Sequence, residues 1–95
     1  MDITYDPAKN ARNIEQCGLS FDLVEAFDFE TALFWMDHRK ANPEERVSAL
    51  GLIDGRVHAL VFTETVTGIR IISFRKANKR EAHRYEQETQ PRDDR

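Results

Sequence analysis

Gly68-Ile-Arg-Ile-Ile-Ser-Phe-Arg-Lys-Ala-Asn-Lys-Arg-Glu-Ala-His-Arg-Tyr85 is the stretch that decides the fold. Its first part, Ile69 to Phe74, reads as an apolar strand, yet it carries Arg70 inside and Arg75 at its end. Its second part opens at Asn78, which pairs with Glu81 in the pattern of a capping box and starts a basic helix running to about Glu88. A core strand gains nothing from two guanidinium groups, so an anion is expected beside them. For Arg70 and Arg46, which precedes it in the chain, the alternative is that both sit at the sheet margin and reach water or a carboxylate such as Glu45. The helix offers only Ala82 and Tyr85 to a sheet, and at roughly 25 cal/mol per Å² that anchors it weakly.

Upstream, Val57 to Glu64 and Arg46 to Ile53 read as two more strands, joined through Asp54-Gly55, a strong two-residue hairpin signal. Thr65 to Gly68 turns the chain into the arginine strand. Thr31 to Asp37 is a further short strand, separated from the hairpin by the polar run from His38 to Glu45 containing Pro43. Asp6-Pro7 starts a first helix, with Ala8, Ala11 and Ile14 as its apolar stripe and Gly18 as its left-handed end. Ser20 caps a second helix built on Phe21, Leu23, Val24 and Phe27, and Met1 to Tyr5 alternates weakly enough to be a short strand. The expected fold is therefore α+β: two N-terminal helices, an antiparallel meander of three to four strands, and a C-terminal helix. One domain over residues 1–88 is expected, with residues 89–95 as a flexible tail.

Composition sets the outer bounds. With 95 residues, 40% of them apolar and 33% charged, the chain suits one soluble domain with one core. No apolar run approaches the ~20 residues that span a bilayer. No export leader opens the chain, and Cys17 is the single cysteine, so the cytoplasm is the expected compartment and an internal disulfide is excluded. The net charge of −3 argues against a generic basic nucleic-acid binder, yet residues 70–84 hold six Lys or Arg against one Glu. Asp22, Glu25, Asp28 and Glu30 form an acidic counterpart around the second helix, a surface for a basic partner.

Turn lengths allow the sheet to be laid out. The hairpin places Ile53 opposite Arg56, Gly51 opposite His58 and Arg46 opposite Thr63. If the second turn sets Glu64 opposite Ile69, Thr63 faces Arg70 and His58 faces Arg75. Arg46, Thr63 and Arg70 then form a row on one face, while Gly51, His58, Arg75 and Ser73 share the other. A bulge would change this assignment, because a one-residue slip reverses every side chain. His58 is a proton-transfer candidate, or else a half-buried structural histidine beside Leu60 and Phe62. Nothing resembles a metal-ligand spacing, a phosphate-binding glycine loop or a nucleophile elbow, and neither a cofactor nor a metal is expected.

Tyr5-Asp6, Lys9, Asn13, Gly18-x-Ser20-Phe21 and Ala26-Phe27 resemble the opening of the BrnT toxins of bacterial toxin–antitoxin pairs. The likeness continues through Glu45-Arg46, Gly51, Ile69 to Ser73, Arg75-Lys76-Ala77, Glu81 and Tyr85. Cys17 stands where such sequences often carry a histidine. The resemblance implies a RelE-like fold and a metal-independent endoribonuclease that arrests growth. It also implies a BrnA-type antitoxin of the ribbon-helix-helix class, with promoter DNA bound only through the toxin–antitoxin complex.

RNA is cut without a metal when its own 2′-oxygen attacks the neighbouring phosphorus, provided the protein holds the backbone and moves protons. On this reading Arg75, Arg70 and Arg46 bind the scissile or flanking phosphates, with Arg75 foremost. Tyr85 and His58 are the proton-transfer candidates, and Lys76 and Lys79 hold flanking phosphates. The competing readings are a docking module without catalysis and a degenerate toxin that acts only through its antitoxin. The face that carries the chemistry is left open by the register.

Overall fold

The computed structural model describes residues 1–37 and 45–89. Most of the expected loop, with His38 and Pro43, and the tail from residue 90 onward lie outside those residues. In chain order the elements are strand β1 (Asp2–Thr4), helix α1 (Pro7–Cys17), a 3₁₀ segment (Phe21–Ala26), strands β2 (Leu33–Asp37), β3 (Arg46–Ile53), β4 (Arg56–Glu64) and β5 (Gly68–Lys76), and helix α2 (Lys79–Thr89). No helix among the described residues is long and apolar enough to cross a membrane.

The β3–β4 hairpin forms as its sequence dictates. Asp54 and Gly55 both take positive φ, 50° and 75°, which matches the twist of the flanking strands. Ile53 pairs with Arg56 and Gly51 with His58. A Cβ at Gly51 would run into the Phe27 ring, so any side chain there must displace that buried ring. Thr65 closes the next turn: its backbone N–H donates to the Gly68 carbonyl (2.9 Å) and its hydroxyl oxygen accepts from the Gly68 N–H (3.0 Å).

The α+β class holds, but the sheet is larger and mixed. It has five strands in the order β1-β5-β4-β3-β2, and β1 runs parallel to β5. The expected antiparallel meander of three to four strands is thus extended by the chain start. Gly68 permits this, since any side chain there would collide with the backbone of Asp2.

The expected pair of N-terminal helices is also corrected. The second is a 3₁₀ segment, capped by the Ser20 hydroxyl accepting from the Asp22 N–H (3.1 Å). Phe21, Val24 and Phe27 recur every three residues, the 3₁₀ period, and all three are buried while Leu23 is exposed. Helix α1 buries none of its residues, and Ile14 in its apolar stripe is 46% exposed. It is held by asparagines instead. The Asn10 side chain accepts from the Phe21 N–H (2.7 Å), and Asn13 donates to the Leu19 and Phe74 carbonyls (3.0 Å each).

The sheet therefore has two different faces. Ala49, Ile53, Leu60, Phe62, Ile69, Ile71 and Phe74 meet Leu19, Phe21, Val24 and Phe27 in the main core. The other face carries α2, through a smaller cluster of Leu50, Ala59 and Tyr85 joined by Leu33, Trp35, Leu52, Val57 and Ala77.

One local feature redistributes the charges. Thr63 pairs with Arg70 and Glu64 with Ile69 as expected, but a bulge follows between Val61 and Phe62. Phe62 pairs with Ile71 and Val61 with Ser73, leaving Ile72 as the extra residue. Beyond it Ala59 faces Arg75 and His58 faces Lys76, so the expected His58–Arg75 pairing does not form. The slip turns Arg75 and Ser73 onto the face of Arg70, and His58 stays behind on the core face.

Candidate functional site

Because of that bulge, Arg46, Arg70 and Arg75 all project from the face that α2 only partly covers. Arg70 and Arg75 stand on β5 at the levels of Thr63 and Ala59 of β4, which puts them roughly 13 Å apart along the strand. Arg46 pairs with Asp37 of β2 at the same end as Arg70. Between the two levels lies a row of Trp35, Ser48, Val61 and Ser73.

The three arginines differ in how they are satisfied. Arg75 forms a bidentate pair with Glu81 of α2, Nη1 to Oε1 at 2.7 Å and Nη2 to Oε2 at 2.9 Å. Glu81 has a second duty, as the capping box expected at Asn78 is formed in both directions. The Asn78 N–H donates to Glu81 Oε1 (3.0 Å) and the Glu81 N–H to Asn78 Oδ1 (2.8 Å). The hydrogen bond from Arg75 holds the Glu81 carboxyl below its ordinary range against the opposing effect of burial, and the same bond raises Arg75. Cys17, at the end of α1, is an exposed free thiol.

Arg46 and Arg70 make no such pair among the described residues. The Nε of Arg46 is buried and lacks a hydrogen-bond partner there, while Arg70 is exposed beside buried Thr63. Two guanidinium groups flanking one threonine, with no carboxylate bonded to either among the described residues, form a surface that favours an anion.

The remaining candidates are dispersed. His58 is 5% exposed on the core face, stacked on Phe74 with centroids 5.6 Å apart. Its Nδ1 lies 2.8 Å from the Arg56 carbonyl, which can only accept, so Nδ1 carries the proton. The Tyr85 ring is buried under α2, and its hydroxyl donates to Thr31, 3.2 Å from the carbonyl and 3.3 Å from Oγ1. Lys76 is exposed at the register position of His58, on the face away from the arginines. Lys79 is exposed at the first turn of α2, near Arg75 in sequence and on the arginine side of the sheet. His83 is exposed on α2.

Where α2 crosses the arginine face, a cavity of about 180 Å³ remains open, lined by Trp35, Asp37, Ser48, Val61, Arg75 and Glu81 among others. The Arg84 guanidinium lies over the Trp35 ring, 4.4 Å from its centroid. Sequence reasoning did not select Trp35, Ser48 or the Arg75–Glu81 pair. The available signal is the alternation of Leu33, Trp35 and Asp37, which share one face of β2, but which face it is follows only from the sheet order. Chemically, the arrangement offers fixed positive charge along an open sheet, a carboxylate held on one arginine, and an aromatic-walled recess beside it.

No curated protein matches the chain. Over residues 5–81 it matches the family model described as the ribonuclease toxin BrnT of type II toxin–antitoxin systems.

Proposed function

The chain belongs to the BrnT family of ribonuclease toxins of type II toxin–antitoxin systems, and from that premise we propose that it cleaves RNA on the sheet face shared by Arg46, Arg70 and Arg75. The observation that carries this reading is the bulge at Ile72, which gathers onto one face the arginines that the strand periodicity would separate. In this proposal the cut is made by the substrate's own 2′-oxygen, with arginine charge stabilising the phosphorane in place of a metal ion.

Arg75 holds the scissile phosphate, and Arg70 and Arg46 hold the backbone at the far end of the face. Lys79 adds charge at the start of α2, and Lys76 is left to more distant phosphates. An arriving phosphate competes with Glu81 for the Arg75 fork. The carboxylate it displaces loses the bond that depresses its pKa and becomes a better proton acceptor beside the attacking hydroxyl. As the 2′-oxygen bonds to phosphorus the P–O5′ bond breaks, leaving a 2′,3′-cyclic phosphate, and the departing 5′-oxygen takes its proton from water. Tyr85 and His58, both committed to backbone carbonyls, are assigned to the structure and not to proton transfer.

Family membership implies an antitoxin partner. We take that partner to be of the BrnA type, with a ribbon-helix-helix DNA-binding half through which the complex reaches its promoter, and the working compartment to be the cytoplasm. A second reading, a toxin-like module that binds without cutting, draws on Arg75 being already neutralised by Glu81. Incubating the purified chain with total RNA in excess EDTA separates the two. The ribonuclease reading predicts fragments that disappear in Arg75→Ala, and growth arrest on expression without the antitoxin. Retention of intact RNA by the wild-type chain would overturn it.

A further inference from the structure

The recess beside Arg75 is not needed to bind a phosphate. Its volume, about 180 Å³, lies below the roughly 300 Å³ where pockets for drug-sized ligands begin, so it fits one flat ring system. Its lining is also unlike a phosphate site. Trp35 supplies an aromatic wall, Val61 an apolar one, Ser48 a hydroxyl, and Asp37 a carboxylate. Arg84 already covers one side of Trp35 and fixes the ring on the edge strand. Arg75 lines the same recess, so a base bound there can belong to the nucleotide whose phosphate reaches that guanidinium.

We propose that this recess between β2, β3 and α2 is a nucleobase pocket that selects guanine, in the nucleotide whose phosphate Arg75 holds. The inference rests on the ribonuclease reading for the phosphate, and on the recess alone for the base. Guanine is favoured by the Asp37 carboxylate in the lining. A carboxylate only accepts, and of the four RNA bases guanine presents two adjacent N–H donors, at N1 and N2, that match its two oxygens. Ser48 has a hydroxyl that serves either donor or acceptor atoms on the ring. A carboxylate has acceptor capacity for several partners at once, so the contact does not require Asp37 to give up its existing interaction. Uracil presents a single N–H between two carbonyl oxygens, which the carboxylate repels. Packing against Trp35 then holds whichever base satisfies the edge.

The chain reports on this site directly, because Trp35 is its one tryptophan. Titrating the full chain with each of the four nucleoside 3′-monophosphates, and with inorganic phosphate, while following tryptophan emission tests the pocket without any cleavage. Guanosine 3′-monophosphate is expected to quench at concentrations about tenfold below those needed with the uridine compound. Inorganic phosphate is expected to leave the emission unchanged. Asp37→Asn should remove the preference, and mapping cut sites in total RNA should show the matching loss of cuts beside guanine. Equal quenching by all four nucleotides, no quenching, quenching by phosphate alone, or a preference that survives Asp37→Asn overturns the proposal. Arginine-dependent cleavage without base-selective quenching would defeat the pocket and leave the ribonuclease reading standing. Guanosine-selective quenching by a chain that never cuts RNA would do the reverse.

Discussion

The two faces of the sheet are built on opposite principles. On one, seven sheet residues meet four from the segment around the 3₁₀ turn, and the aromatic contacts run continuously from Tyr5 through Phe21 to Phe74 and His58. On the other, the buried apolar cluster is only Leu50, Ala59 and Tyr85, and among the described residues the helix above them is tied by one ion pair, one cation–π contact and one tyrosine hydroxyl. The first face supplies the stability of the domain. The second leaves Arg70, Arg75 and a recess open to solvent with Arg46 half-buried beside them, an arrangement that the dense first face sustains. A charged binding surface and a dry core thus share one sheet, separated by the thickness of its backbone.

The sharpest way to break this division is to damage each face in turn. Phe74→Ala, at a residue 1% exposed, should cost about 3–5 kcal/mol of unfolding free energy, measured by denaturant titration. That is a large part of the 5–15 kcal/mol typical of a domain. Arg75→Ala should do the opposite, lowering the RNA cleavage rate by about 10²–10³-fold while moving the unfolding free energy by less than ~1 kcal/mol. His58→Ala sharpens the contrast because histidine is the residue most readily taken for a catalyst. It should lose about 1–3 kcal/mol of stability through the vacated ring position on Phe74, with cleavage per folded molecule unchanged. Lost cleavage at intact stability would move the site to the core face.

The smallest expected effect concerns the Arg75–Glu81 tie. Glu81 has a folded pKa below its unfolded one, so its contribution is complete above the ordinary carboxylate range and is lost as pH falls below that range through the folded value. Both partners are partly exposed, which limits the contribution to about 0.3–1 kcal/mol. Far-UV circular dichroism melts between neutral and acid pH should show α2 loosening first, and Glu81→Gln should remove that acid sensitivity. Identical acid profiles for the two proteins would show that the pair does not hold the helix.

Much of this was readable from residue order, and the exceptions have physical causes. Asp54-Gly55, the Ser20 cap, the Gly18 helix end and the Asn78–Glu81 capping box formed because each is a local pattern with a local payoff. The hairpin register followed from its turn. The bulge at Ile72 had no such mark. Ile71 and Ile72 are both apolar, and either could face the core until Ile71 pairs with Phe62 across the sheet. That single ambiguity separated Arg75 from Arg70 in the sequence-based layout and placed it with His58. The parallel pairing of β1 was hidden for a related reason, since it joins Asp2–Thr4 to Gly68–Arg70 across most of the chain. The apolar stripe of α1 misled in the other direction: Ala8, Ala11 and Ile14 are spaced for burial, but Asn10 and Asn13 do the anchoring.

The central claim, that RNA lies on the arginine face, is tested most directly by photo-crosslinking the full chain to a 2′-deoxy-substituted oligonucleotide that cannot be cut. Phe34 and Trp35 are neighbours in β2 whose side chains leave opposite faces of the sheet, Phe34 46% exposed beside Phe29 and Phe62, Trp35 under Arg84. Mass spectrometry of the crosslinked peptide should place the attachment at Trp35, and Arg75→Ala should weaken it. Attachment at Phe34 and Phe29, insensitive to Arg75→Ala, would contradict the account.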